Sequence, residues 1–136
     1  MGREKKAACS GLEALAQVLD GAVVPRPSQK TLEQWMCFLA AVWNGMVIYA
    51  QLGEWEPIRD VMRRIDALRE PERTRMSELF LAAVERWLRS FRNAGWLYRH
   101  VHVVVGEGGE LRVRAECIPL GRWLNDGMTL RVGLPD

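Results

Sequence analysis

The sequence predicts an α+β protein in which about four helices precede a C-terminal antiparallel β-hairpin or three-stranded meander. The prediction rests on a change in the spacing of apolar residues. They recur every three or four positions as far as about Asn93, as on one face of a helix, and every second position after Gly95, as in a half-buried strand. The length of 136 residues fits one domain, 1–136, and a hydrophobic share of 49% excludes a disordered chain.

The N-terminal region predicts one short helix behind a flexible tail. We expect the tail at residues 1–9, because the first residues of a domain are poorly ordered unless something holds them. The helix is expected to begin at Ser10, since Ser10 to Glu13 has the S-x-x-E form of a capping box. Gly21 is placed as the left-handed residue that ends it. Pro25 and Pro27 then exclude a helix in the segment that follows.

A very apolar central helix is expected near residues 31–52. Thr31 to Gln34 again has the form of a capping box, and Gly53 marks the end. The run 35–50 is apolar on all sides except at Asn44, which is typical of a helix in a protein core or in lipid. This run is 16 residues long, and a membrane span needs about 20. The sequence therefore predicts a buried helix and no membrane contact.

Two amphipathic helices are expected to follow as an antiparallel pair. Pro57 suits the first turn of the third helix. Glu70 and Pro71 interrupt the pattern, and the fourth helix is expected from about Glu72 to Asn93. The fourth helix carries the most regular apolar stripe in the chain: Met76, Leu79, Phe80, Ala83, Val84, Trp87, Leu88 and Phe91.

The C-terminal part predicts a hairpin with strands at 96–105 and 111–118, joined by a glycine-rich turn at 106–109. A short third strand is expected at 128–132. A three-residue loop aligns the apolar side chains of both strands on one face, whereas a slip by one residue would place arginines there. The expected cross-strand pairs are Val105 with Leu111, Val103 with Val113, and Val101 with Ala115.

The sequence indicates no catalytic or metal-binding framework. Cys9, Cys37 and Cys117 are far apart and contain no C-x-x-C pair, which argues against disulfides and a zinc site. No P-loop, G-x-S-x-G, H-E-x-x-H or G-x-G-x-x-G motif occurs. We therefore expect a protein that is not an enzyme and holds no cofactor. We also expect it to be a small bacterial protein of the cytoplasm.

His100 and His102 are the only histidines. Two positions apart on a strand, they share a face and could bind zinc if a third ligand converged. In the expected register Glu116 lies across from His100, but Arg114 lies across from His102, and a cation there opposes metal binding. We expect both histidines to face solvent.

Asn44 is the polar exception in the central helix. A buried amide needs hydrogen-bond partners. Asn44 could contact a small molecule in a pocket among the helices, or it could bond a neighbouring helix or backbone. The second role is the more common one for such a residue.

The positions of the arginines indicate an alternative function, which is nucleic-acid binding. Arg86, Arg89 and Arg92 share one side of the fourth helix, and Arg112 and Arg114 lie on the hairpin. A helix pair followed by a basic hairpin is similar to a winged-helix nucleic-acid binder, and such a surface could grip phosphates. Glutamates interrupt the basic side of the helix, and the net charge of +2 is small for a DNA-binding domain. Nucleic-acid binding is therefore an alternative, not the favoured function.

The tryptophans favour protein binding. Of six tryptophans, Trp55, Trp96 and Trp123 fall at the ends of predicted elements. There they could be exposed and serve an interface, where aromatic residues are enriched, or they could cap the edges of the core. A small sheet also leaves open edges that dimerisation commonly covers. The favoured prediction is a non-catalytic protein that self-associates, preferably as a dimer, and binds a protein partner.

Overall fold

The computed structural model describes residues 2–22 and 27–125 of the chain. It confirms the α+β class and the hairpin, while the third strand expected at 128–132 lies outside the described residues. A short helix that the sequence did not predict follows the hairpin. The elements in order are α1 (Gly2–Ala22), α2 (Gln29–Leu52), α3 (Glu56–Asp66), α4 (Glu72–Ser90), β1 (Trp96–Val105), β2 (Leu111–Pro119) and α5 (Leu120–Asn125).

Both ends of α1 differ from the prediction. The backbone is already helical at Gly2, so Ser10 lies inside the helix and does not cap it. The residues before Ser10 include Glu4, Lys5 and two alanines, which favour helix and extend it backwards. Gly21 lies within the helix and does not end it in the left-handed region. The flexibility expected of residues 1–9 stays a prediction.

The central helix α2 is longer than expected. Ser28 caps it, with its hydroxyl oxygen accepting a hydrogen bond from the Thr31 N–H at 3.2 Å. Gly53 ends it as predicted, at φ 72°, where its N–H donates to the Tyr49 carbonyl. At 24 residues, α2 is long and apolar enough to cross a membrane, but 72% of its most apolar window is buried within the fold. The sequence argument that the helix is too short to span a membrane therefore does not hold. The burial of α2 within the fold is the observation that argues against a membrane span.

The helices α3 and α4 both pack against α2, and they also contact each other. Pro57 occupies the first turn of α3 as predicted. The helix α4 ends at Ser90, three residues before the expected end, and the Phe91 N–H then bonds the Trp87 carbonyl. The helix α2 packs against α1, α3, α4 and β1, so it is the centre of the fold.

The sheet has the predicted register near its turn and a bulge farther along. Val105 lies opposite Leu111 and Val103 opposite Val113, but the register shifts between Arg99 and His102. The predicted pairing of Val101 with Ala115 is therefore not part of the regular ladder. Glu116 lies opposite Arg99, and not opposite His100 as predicted.

The bulge has a physical cause in the order of side chains along β1. Tyr98 and Val101 are both buried, although an odd number of positions separates them, and Val103 is buried as well. In a regular strand Tyr98 and Val101 would point to opposite faces. One inserted residue, near His100 at φ 53°, returns Val101 and Val103 to the face that Tyr98 occupies.

An aromatic cluster lies where α2, the end of α4 and the start of β1 meet. The Trp43 ring lies 5.0 Å from that of Phe91, 5.7 Å from Trp96 and 5.3 Å from Tyr98, measured between centroids. Gly11 of α1 packs against the same cluster, because a Cβ there would lie 2.8 Å from Trp43 Cη2. The cluster fixes α1, α2 and the hairpin relative to one another.

Candidate functional site

Asn44 bonds the backbone of one residue in β1. Its Nδ2 donates to the Tyr98 carbonyl at 2.7 Å, and its Oδ1 accepts from the Tyr98 N–H at 2.8 Å. Both bonds are buried. A neighbouring β-strand would offer the same donor and acceptor, so the Asn44 amide occupies the place of a further strand. These contacts match the structural role, in which Asn44 bonds a neighbouring backbone. Contact between Asn44 and a small molecule stays a prediction.

Three further polar side chains of α2 continue this arrangement along β1. Gln29 Nε2 donates to the Val103 carbonyl at 3.0 Å, and Glu33 accepts from the Val103 N–H at 3.1 Å. The Cys37 thiol lies 3.7 Å from the Val101 carbonyl, in position to donate to it. We call Gln29, Glu33, Cys37 and Asn44 the α2 seam. These side chains make hydrogen bonds to backbone groups on the edge of β1 that faces away from β2.

The spacing of the α2 seam explains its geometry. Gln29, Glu33 and Cys37 are four positions apart, which places them on one side of a helix. Sequence analysis did not single out Gln29 or Glu33, and it named Cys37 only in arguing against disulfides and a zinc site. Burial, followed by the nearby Glu33 charge, raises the pKa of the Cys37 thiol. A raised pKa keeps Cys37 protonated and disfavours a nucleophilic role.

The two histidines are exposed on β1 and each lies beside a different carboxylate. His100 Nε2 is 3.8 Å from Glu116 Oε2, and His102 Nδ1 is 3.7 Å from Glu33 Oε1. Arg114 lies opposite His102, as predicted. Within the described residues, no three His, Cys, Asp or Glu side chains are grouped so as to hold a metal ion.

The pair of Arg99 and Glu116 joins the two strands on the exposed face. Arg99 Nε donates to Glu116 Oε2 at 2.9 Å, and Arg99 Nη2 donates to Oε1 at 2.8 Å. These hydrogen bonds, with the Arg99 charge, lower the pKa of the Glu116 carboxyl. The two parallel bonds hold the carboxylate in one orientation.

Titration of Glu116 by NMR tests this pair. We expect a pKa below the ordinary glutamate value in the native chain, and a higher pKa in Arg99→Gln, because the variant loses the charged bidentate donor. A depressed pKa stabilises the fold above the unfolded pKa, and that stabilisation is lost as the pH falls through the folded pKa. An unchanged Glu116 pKa in Arg99→Gln would contradict the assignment.

The arginines of the nucleic-acid alternative form two groups. On α4, Arg86 Nη2 donates to Gln17 of α1 at 3.1 Å, and Arg89 pairs with Glu85 at 2.6 Å. Arg92 was expected on the same helix but lies two residues beyond its end, where its Nε donates to the Leu88 carbonyl at 2.7 Å. On β2, Arg114 is exposed and Arg112 lies 3.6 Å from Glu110.

The helix α1 packs against both α4 and β2. The side chains of Arg86, Arg89 and Arg92 thus bond to residues of α4 and α1. None of the hydrogen bonds given above for them reaches the hairpin. The winged-helix alternative stays a prediction without a specific contact in its favour.

The three tryptophans proposed for partner binding differ in exposure. Trp96 is half-buried, and its Nε1 donates to the Tyr98 hydroxyl at 2.7 Å; Trp123 is half-buried as well. Trp55 is 49% exposed and its ring lies 4.2 Å from that of Tyr49. Of the three, Trp55 offers the most ring surface to a partner.

Two residues that sequence analysis did not single out complete a surface around Trp55. Tyr49 belongs to the run 35–50 that the sequence predicted to be buried, but it is 37% exposed in the last turn of the helix, and Leu52 is 40% exposed. We call Tyr49, Leu52 and Trp55 the aromatic surface. The signal for it was their position at a helix end, where the core no longer covers the apolar stripe.

In comparisons with known proteins, no family model matches this chain, and no curated protein or solved structure does so either. The functional interpretation therefore depends on the chain's own residues.

Proposed function

We propose that this chain is a non-catalytic protein that works by associating with other protein chains, both a protein partner and a second copy of itself. The observation that supports partner binding is the exposed Trp55 ring packed against Tyr49. Large aromatic side chains contribute much of the binding energy in protein interfaces.

The border of the aromatic surface indicates the chemistry of its partner. The exposed carboxylates of Glu54 and Glu56 flank Trp55 in the sequence. The Glu56 carboxylate forms ion pairs with Arg59 Nη1 at 3.2 Å and with Arg63 Nη1 at 3.7 Å, whereas no ion pair is described for Glu54. An apolar pocket or helix face with a basic border would complement this surface, because charge at an interface rim steers association.

Photo-cross-linking tests the aromatic surface. We expect p-benzoylphenylalanine at position 55, introduced into the full chain in its native cells, to yield one defined adduct. Position 68 is the control, because Leu68 is 38% exposed and follows the other end of α3. Equal adducts at both positions, or none at position 55, would refute partner binding here.

Alanine substitution then measures the contribution of the ring. We expect Trp55→Ala to weaken binding of the cross-linked partner by at least about 2 kcal/mol, or roughly 30-fold, as for an interface hot spot. Leu68→Ala should bind within about threefold of the native chain. Because Trp55 is exposed, both variants should show native circular dichroism.

A further inference from the structure

The outer face of α4 carries leucines that the core does not cover. Leu81 is 64% exposed and Leu88 is 43% exposed. They are seven positions apart, so they point in nearly the same direction, away from the stripe of α4 that faces the core. Half-buried Val84 lies between them, three positions from one and four from the other, which is the spacing of a seam between packed helices. We call Leu81, Val84 and Leu88 the α4 row.

A groove begins at the C-terminal end of the α4 row. Its volume is about 500 Å³, and it lies where α4 ends and the chain turns towards β1. Leu88, Phe91 and Trp96 line it with apolar surface, and Arg89 and Arg92 line it with positive charge. The outer face of α4 therefore has a projecting leucine in its first half and a concave, partly basic region at its other end.

We propose that this face packs against the same face of a second copy of the chain, with the two α4 helices antiparallel and Leu81 opposite Leu88. The proposal rests on the self-association included in the proposed function and specifies its surface. A two-fold interface requires one surface to complement itself. In this arrangement Leu81 of each copy enters the groove of the other, so both halves of the α4 row are buried together.

The charges beside the α4 row favour the antiparallel arrangement. Exposed Glu78 precedes Leu81 by one turn, whereas Arg92 lines the groove at the other end of the row. Because Leu81 lies opposite Leu88, Glu78 falls at the level of residue 91 of the second copy, next to Arg92. An acidic end thus meets a basic groove, twice in the dimer. A parallel pair would instead place each charge beside its own copy, which opposes binding.

The contacts within one chain are compatible with this arrangement. Glu85 lies next to the two-fold axis and approaches its own copy there. Its carboxylate already accepts a hydrogen bond from Arg89 at 2.6 Å, which offsets the repulsion between the two copies. Arg92 Nε donates to the Leu88 carbonyl at 2.7 Å, so the Arg92 side chain is held beside the groove before association.

A charge introduced at the projecting leucine tests the interface. We expect native mass spectrometry and sedimentation to show a dimer, and Leu81→Glu to raise its Kd at least about thirtyfold, because a buried leucine is lost from each copy. Met62→Glu is the matched control, since Met62 is 46% exposed on α3 and the variant makes the same change in charge on another helix. Its Kd should change less than about threefold. Both variants replace exposed side chains, so both should show native circular dichroism.

An exchange of charges tests the register. Glu78→Arg and Arg92→Glu should each raise the Kd at least about fivefold, because two attractive pairs become repulsive in the dimer. The double variant should return to within about threefold of the native Kd, since its two charges attract again across the interface. Single variants without effect, or single effects that add in the double variant, would overturn the antiparallel register.

Hydroxyl-radical footprinting locates the interface independently. With rising protein concentration, oxidation should fall at Leu88 and Phe91 and stay unchanged at Met62. A monomer at all concentrations would overturn the proposal together with self-association, but would leave partner binding at Trp55 standing. A dimer that is unaffected by Leu81→Glu, or protected instead at Trp55, would overturn the α4 interface alone.

Discussion

Replacing Asn44 with alanine is expected to lower the free energy of unfolding by about 3 kcal/mol. The substitution leaves the N–H and C=O of Tyr98 without their partners, and both bonds are buried. Each buried backbone group that loses its partner costs roughly 1–3 kcal/mol, because it was removed from water and gains nothing in return. Urea unfolding followed by far-UV circular dichroism measures the change, provided that the denaturant dependence stays the same.

Gln29→Ala is the matched control for Asn44→Ala. It removes another bond between α2 and β1, the one to the Val103 carbonyl, but Gln29 is exposed at the start of the helix and water can replace its amide. Its cost should stay below about 1 kcal/mol. Equal costs for the two variants would show that burial does not determine the strength of the α2 seam. In that case Asn44 would not be its main contributor.

The fold class could be predicted because it depends on local periodicity. The change from a period of 3.6 to a period of 2 after Gly95 is visible in the sequence alone, as are the stop at Gly53 and the start at Pro57. Helix starts were predicted less well. Ser10 and Thr31 both have the capping-box form, but favourable residues before each extend the helix past it, to Gly2 and Gln29.

The candidate site was predictable only where it depends on a helix end. Trp55 was selected because it lies between two helices, and its exposure follows from that position. The α2 seam joins residues more than 50 positions apart, and no local pattern reveals such contacts. The bulge did leave a signal, since Tyr98 and Val101 cannot share a face of a regular strand. The odd spacing between Tyr98 and Val101, taken together with the single polar residue Asn44 in the apolar run of α2, could have indicated where α2 meets β1.

Gly11→Ala is expected to lower the free energy of unfolding by about 2 kcal/mol, although alanine favours helix over glycine by about 1 kcal/mol. A Cβ at Gly11 would lie 2.8 Å from Trp43 Cη2 and closer still to the Tyr98 hydroxyl. Both neighbours are rigid rings held in place, because Trp43 Nε1 bonds the Trp96 carbonyl and the Tyr98 hydroxyl accepts from Trp96 Nε1. The helix α1 must therefore move away from the cluster.

Gly21→Ala in the same helix separates packing from helix propensity. A Cβ at Gly21 meets no atom within 4 Å, so this variant should gain about 0.5–1 kcal/mol from the reduced freedom of the unfolded chain. Thermal unfolding of both variants, with near-UV circular dichroism of the tryptophans, measures the contrast. Opposite signs would show that α1 is seated against Trp43 and Tyr98 through Gly11. Two stabilised variants would instead mean that α1 does not approach the aromatic cluster so closely, and that the contacts between α1 and the hairpin contribute little to stability.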